Sequence, residues 1–147
     1  MENTSLDKVF LNGMVVAEQP MNRMCQKIRG VVEKGEGAAL RDYDVPTANI
    51  EIKGRLLIET GVYAAITEHK GKKYESIVCY GTGEDQRKFE VHLFDFDQYI
   101  YGDTLDVELL EKVSELIPWH SKERMRQKIV HDLHMVEAVF DRIKARV

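Results

Sequence analysis

The spacing of the apolar residues divides this chain into two parts, one with the alternation of β-strands and one with the spacing of a helix. From about Lys27 to Leu109, short apolar runs alternate with polar residues and are separated by polar or glycine-bearing stretches. Alternation at every second residue is typical of half-buried strands. We predict strands over residues 28–33, 46–52, 62–67, 74–80, 89–96 and 105–109.

The end of the chain has the spacing of a helix. Apolar residues recur there at every third or fourth position: Met125, Ile129, Leu133, Val136, Val139 or Phe140, and Ile143. Ser121 is a suitable N-cap, and Glu123 puts a carboxylate in the first turn, where the helix dipole favours it. We expect the face of Met125, Ile129, Leu133 and Val136 to be buried. Because no helical pattern separates the strands, the predicted class is all-β, an antiparallel barrel or sandwich with a C-terminal helix.

The first 26 residues carry a different signal. Val9–Leu11 and Met14–Val16 are apolar and flank Asn12-Gly13, the strongest short signal for a β-hairpin. We expect an N-terminal extension or hairpin over residues 1–26, followed by one domain over residues 27–147.

Composition narrows the choice of partners. The 147 residues carry a formal net charge of −4, which argues against nucleic acid as the main partner. Two cysteines are too few for a disulfide scaffold, and no run approaches the length of a membrane span. No secretory signal is visible. We expect a cytoplasmic protein without a membrane partner, as a monomer or weak oligomer.

Three glycines surround the end of the first barrel strand. The segment Gly30 to Gly37 includes Gly35, and glycine lets a backbone approach a phosphate closely. It is neither a Walker loop nor a dinucleotide fingerprint, because no Gly-Lys-Ser/Thr and no helix pattern follow it. Taken alone, this segment is better explained as an ordinary glycine-rich turn.

Two strands carry candidate chemistry. In Pro46-Thr47-Ala48-Asn49, Thr47 and Asn49 point to one face, where a hydroxyl and an amide oxygen can hold Mg²⁺; the alternative is a solvent-facing polar strand. Glu90 shares a face with His92, and such a carboxylate could accept a proton from a substrate hydroxyl in phosphoryl transfer. The alternative for Glu90 is a rim carboxylate paired with a lysine. His92 is expected to be structural.

The order of these motifs resembles the riboflavin kinase family. The landmarks are the glycine-rich strand, Pro46-Thr47-Ala48-Asn49, Gly61-Val62-Tyr63, Glu90-Val91-His92-Leu93, Tyr101-Gly102 and the helix start at Ser121. The resemblance covers about residues 28–140. It implies a six-stranded Greek-key barrel with a closing helix, which transfers phosphate from ATP, with Mg²⁺, to riboflavin to give FMN and ADP.

The resemblance also implies a role for each site residue. Glu90 would be the base that activates the ribityl 5′-hydroxyl, and Thr47 and Asn49 would hold the metal. The implied nucleotide-binding residues are Gly35, Gly37, Arg41 and Thr47. The implied flavin-binding residues are Ser114, Trp119 and Glu123.

Departures from the family pattern leave a second function open. Ala38, Ala39 and Asp44 alter the glycine loop, and Ser114 stands where the family has an arginine that contacts the flavin. We expect weaker flavin binding than with that arginine, because serine offers fewer donors. The alternative to a kinase is a module of the same fold that binds flavin or nucleotide without turnover. A third possibility, a protein-interaction domain, depends only on residues 1–26.

Overall fold

In this computed structural model, the backbone is described for residues 6–11, 14–20, 26–33, 46–52 and 56–146, and the side chains for the last three of these ranges. The strands are β1 (Leu6–Leu11), β2 (Met14–Pro20), β3 (Gln26–Glu33), β4 (Ala48–Ile50), β5 (Gly61–His69), β6 (Lys72–Thr82), β7 (Lys88–Leu93) and β8 (Thr104–Ser114). One helix, α1, spans Lys122–Ala145.

Six strands close into an antiparallel barrel in the order β3-β4-β7-β6-β5-β8, with β8 pairing back onto β3. Strands β5, β6 and β7 are consecutive neighbours, and β8 returns to lie beside β5. This order is a Greek key. The predicted six-stranded barrel with a C-terminal helix is confirmed.

The N-terminal strands form their own sheet. β1 pairs antiparallel with β2, with Leu11 opposite Met14. This is the pairing that the pattern around Asn12-Gly13 predicts. The division of the chain into 1–26 and 27–147 remains a prediction.

The core has two parts, and β5 belongs to both. Tyr63 and Ala65 point into the barrel, while Val62 and Ala64 pack against the helix. The helix contributes Val136 and the neighbouring Val139 and Phe140 to this second cluster. Burial on both faces explains why β5 reads as a nearly continuous apolar run.

Two local expectations were wrong. Strand β7 ends at Leu93 rather than at residue 96, because Asp95 adopts a positive φ of 57° that turns the chain. Phe96 lies beyond the strand and packs edge-on against Tyr74.

The helix begins as predicted, but its buried face differs. Ser121 Oγ accepts a hydrogen bond from the Arg124 amide at 3.1 Å, as an N-cap should. Val136 is buried, whereas Met125, Ile129 and Leu133 are only half-buried because they border an open cavity. No helix in the described part of the chain is both long and apolar enough to cross a membrane.

Gly30 provides a test of barrel packing. A Cβ atom there would lie 2.2 Å from Cγ2 of Ile50 on the neighbouring strand. We expect Gly30→Ala to lower the free energy of unfolding by about 1–3 kcal/mol, the usual cost of overpacking. Urea denaturation would measure this loss.

Ile50→Ala supplies the matched control. It removes the clashing methyl group, so Gly30→Ala should cost clearly less in the Ile50→Ala background than in the wild type. If the two substitutions lowered the free energy of unfolding in a strictly additive way, the contact between positions 30 and 50 would not limit packing.

Candidate active site

Three neighbouring strands place polar side chains in one row on the outside of the barrel. Asn49 of β4 lies opposite Glu90 of β7, which lies opposite Cys79 of β6. Directly paired residues share a face of a sheet. Because Phe89 points into the barrel core, Glu90 and its two partners point outward.

Glu90 is a buried carboxylate held by two hydroxyl groups. Only 2% of the residue is exposed. Thr47 Oγ1 donates to its Oε2 at 3.3 Å, and Thr82 Oγ1 donates to its Oε1 at 2.8 Å. Within the described ranges no lysine, arginine or histidine forms an ion pair with it. Glu90 is therefore not a rim carboxylate.

Thr82 is a site residue that the sequence analysis missed. The register of β6 against β7 shifts between Tyr80 and Thr82, where Gly81 adopts a positive φ of 110°. Without this bulge Thr82 would share the inward face of Tyr80. The extra residue turns its hydroxyl outward to Glu90. The two glycines that flank Thr82 were the available signal.

Asn49 has an oxygen atom without a partner. The residue is 5% exposed, and its Oδ1 makes no hydrogen bond within the described residues. The sequence predicts that Thr47 and Asn49 share a face, and the structure places Glu90 beside both of them. A buried, unsatisfied amide oxygen next to a hydroxyl and a carboxylate suits a hard cation such as Mg²⁺.

A cavity of about 690 Å³ lies between β6 and α1. We call it the helix-side cavity. Its apolar lining includes Leu116, Ile117, Pro118, Trp119, Met125 and Ile129, and its polar lining includes Thr82, Lys128 and Asp132.

The predicted flavin residues differ in their relation to this cavity. Trp119 lines it and is 74% exposed. Ser114 does not line it, but hydrogen-bonds to Asp132 and Lys128, which do. Glu123 is exposed in the first turn of α1 and is not among the lining residues.

A second cavity, of about 400 Å³, includes Thr47 in its lining. We call it the loop-side cavity; it is lined by Val32, Pro46–Ala48, Val91–Leu93 and residues 96–101. His92 borders it and donates from Nδ1 to the carbonyl oxygen of Pro46 at 2.6 Å. Burial lowers the pKa of His92, and the hydrogen bond to Pro46 opposes that shift. The predicted structural role of His92 is consistent with this contact.

The two threonines that hold Glu90 line different cavities. Thr82, which donates to one carboxylate oxygen, lines the helix-side cavity, and Thr47, which donates to the other, lines the loop-side cavity. One buried base whose hydrogen-bond partners line two binding spaces can accept a proton from one ligand while that ligand reacts with another. Gly35, Gly37 and Arg41 lie outside the described residues.

Comparison with known proteins identifies the family. The riboflavin kinase (Flavokinase) family model matches residues 23–140. The chain belongs to the riboflavin kinase family.

Members of this family with similar sequences are mostly larger proteins. The chain is 27% identical, over 97% of its length, to a bifunctional riboflavin kinase/FMN adenylyltransferase of Buchnera aphidicola, of which it covers 48%. It is 31% identical, over 69% of its length, to the Haemophilus influenzae protein of the same name, of which it covers 34%. An RNA-binding riboflavin kinase of Bacillus subtilis is 30% identical over 79% of the chain, which covers 52% of that protein. The chain thus spans about half or less of these relatives.

A solved structure shares the fold. The crystal structure of a macrolide-efflux protein from Streptococcus pneumoniae superposes with a TM-score of 0.67 at 28% identity. The match covers 77% of this chain and 38% of that one. The superposed region is thus part of a larger chain in that structure too.

Cys79 reports on the electrostatics of the candidate site. Burial, reinforced by the Glu90 carboxylate, raises the pKa of the Cys79 thiol to about 12. In a Cys25→Ser background, iodoacetamide at pH 8 should alkylate Cys79 on the order of 10²- to 10³-fold more slowly than a free thiol, because the thiolate reacts. Glu90→Gln should accelerate alkylation of the folded protein. Asp141→Asn, on the exposed face of α1, should leave the rate unchanged; equal rates in all three proteins would contradict a charged Glu90 beside the thiol.

Proposed function

We propose that this chain is a cytoplasmic riboflavin kinase that transfers the γ-phosphate of ATP to the 5′-hydroxyl of riboflavin. The position of Glu90, buried and held by two threonines that line different cavities, carries this proposal. Phosphoryl transfer needs positioning, charge neutralisation and one base near the nucleophile. Family membership supports the same reaction.

Riboflavin would occupy the helix-side cavity. The apolar lining formed by Leu116, Met125 and Ile129 suits a fused aromatic ring, and Trp119 offers an aromatic surface at the exposed edge. The ribityl chain would then extend along Thr82 toward Glu90. Glu90 would accept the proton of the 5′-hydroxyl as its oxygen attacks phosphorus. Glu123 is proposed to approach the flavin from the first turn of α1.

ATP would occupy the loop-side cavity, with its phosphates near Thr47. Gly35, Gly37 and Arg41 are proposed to contact those phosphates. The unsatisfied oxygen of Asn49 and the hydroxyl of Thr47 would hold Mg²⁺. A bound Mg²⁺ neutralises charge on the phosphate oxygens.

A binding module without turnover is the less favoured function. Thr47, Asn49 and Glu90 adjoin one another, which supports catalysis rather than binding alone. Incubation with riboflavin and Mg-ATP, followed by chromatography for FMN, tests the choice. Binding of flavin or nucleotide without formation of FMN would exclude the kinase and leave only the binding module.

Glu90→Gln tests the base. It preserves the shape of the side chain and can still accept from a threonine, but it does not take up the substrate proton. We expect turnover to fall about 10²- to 10⁴-fold with little change in nucleotide affinity, measured by steady-state kinetics and calorimetry. Glu137→Gln, on the exposed part of α1, is the matched control. Full turnover in Glu90→Gln would exclude Glu90 as the base.

Asn49→Ala tests the metal site. We expect weaker binding of ATP with Mg²⁺ and little change without it, because the substitution removes the free amide oxygen. Calorimetry with and without the metal measures the difference. Gln127→Ala, which removes an exposed amide from α1, should change neither titration. An equal loss with and without Mg²⁺ would indicate a direct contact to the nucleotide instead.

A further inference from the structure

A cluster of three polar side chains lies at the wall of the helix-side cavity, beneath α1. Ser114 Oγ donates to Asp132 Oδ1 at 2.7 Å and accepts from Lys128 Nζ at 2.8 Å. Lys128 also pairs with Asp132, one helical turn away. The side chains of Lys128 and Asp132 are only 13% and 6% exposed.

The hydrogen bonds within this cluster leave one donor free. Asp132 uses each carboxylate oxygen for one partner, and Ser114 both donates and accepts. An ammonium group has three protons, and Lys128 uses two of them within the described residues. Lys128 borders the cavity, so its third proton is available to a ligand there.

The cluster lies far from Glu90 along the same row of paired residues. Ser114 is opposite Val62, Val62 is opposite Cys79, and Cys79 is opposite Glu90. Three strand spacings correspond to about 14 Å along the sheet. A ligand whose hydroxyl lies at Glu90 would therefore need more than a five-carbon sugar chain to reach the cluster.

We propose that Lys128 is a specificity-determining residue that donates a hydrogen bond to the polar, pyrimidine-like edge of the flavin ring. This inference rests on the proposed riboflavin kinase function. The two carbonyl oxygens and N1 of that edge are acceptors, which match the free ammonium proton. Leu116, Met125 and Ile129 leave an apolar surface for the methylated edge of the ring. Asp132 and Ser114 are positioning residues that hold Lys128.

The proposed role of Lys128 changes the effect that we expect from placing the family's arginine at Ser114. A cation already occupies the space in front of the serine, supplied by α1 instead of β8. Adding an arginine through Ser114→Arg would place two cations around one carboxylate, so by itself it should weaken flavin binding. It should restore binding only when Lys128 is neutralised in the same protein.

The test compares two flavins by fluorescence titration without nucleotide. Lumiflavin keeps the ring system but has a methyl group in place of the ribityl chain. Lys128→Gln can still donate to Asp132 but removes the charge. We expect it to weaken riboflavin and lumiflavin binding by the same factor, on the order of 10- to 100-fold, which is typical of a charge-assisted hydrogen bond.

Several variants separate this role from a loss of stability. Lys128→Arg should largely retain binding, and Ser114→Arg with Lys128→Gln should recover part of it. Lys144→Gln, which removes another ion-paired lysine from α1 outside the cavity, should have no effect. If Lys128→Gln does not fold, Lys128→Met with Asp132→Leu removes both charges from the buried pair and should fold with the same loss of binding.

The bound flavin gives an independent readout. A cation near N1 stabilises the anionic reduced flavin, so Lys128→Gln should lower the reduction potential of bound lumiflavin. Unchanged affinity for both flavins in folded Lys128→Gln, or a loss for riboflavin alone, would overturn the proposal. A wild-type chain that binds no flavin would contradict the proposed function itself, which distinguishes the two failures.

Discussion

The pairing of β7 between β4 and β6 is the constraint on which the candidate site depends. It sets Asn49, Glu90 and Cys79 side by side on the outside of the barrel, while Phe89 anchors the opposite face in the core. A shift of one residue in this register would turn the carboxylate into an apolar interior. The same hydrophobic alternation that folds the barrel therefore also sets the position of Glu90 on its outer face.

Irregularities in the barrel extend this row into a site with two sides. The bulge at Gly81 turns Thr82 toward Glu90, and the helix stands off far enough to leave Met125 and Ile129 at an open cavity. Neither feature stabilises the barrel, since a bulge interrupts the ladder and half-buried apolar side chains forgo part of their burial free energy. Ligand binding would explain both features, because the bulge orients Thr82 and the gap beneath the helix leaves space for a ligand.

Sequence reasoning was sufficient for features with a simple period. It predicted the strands, the Ser121 cap and the shared face of Thr47 and Asn49, because alternation and capping are local properties. It did not predict that Phe96 leaves the strand, which depends on one residue with positive φ, or that Thr82 faces Glu90, which depends on a bulge. Lys128 was also missed, because its partner Ser114 comes from a distant strand.

The two buried carboxylates differ in how their charge is compensated. Asp132 pairs with Lys128 and accepts a hydrogen bond from a serine hydroxyl. Glu90 has only hydroxyl partners among the described side chains, and the unsatisfied oxygen of Asn49 lies on the next strand. Among the described side chains, Asp132 therefore has a charged partner and Glu90 has none. The two threonines that hold Glu90 line different cavities, so under the proposed function a metal ion and a substrate proton would both arrive beside this carboxylate, whereas Asp132 holds a lysine at the wall of one cavity.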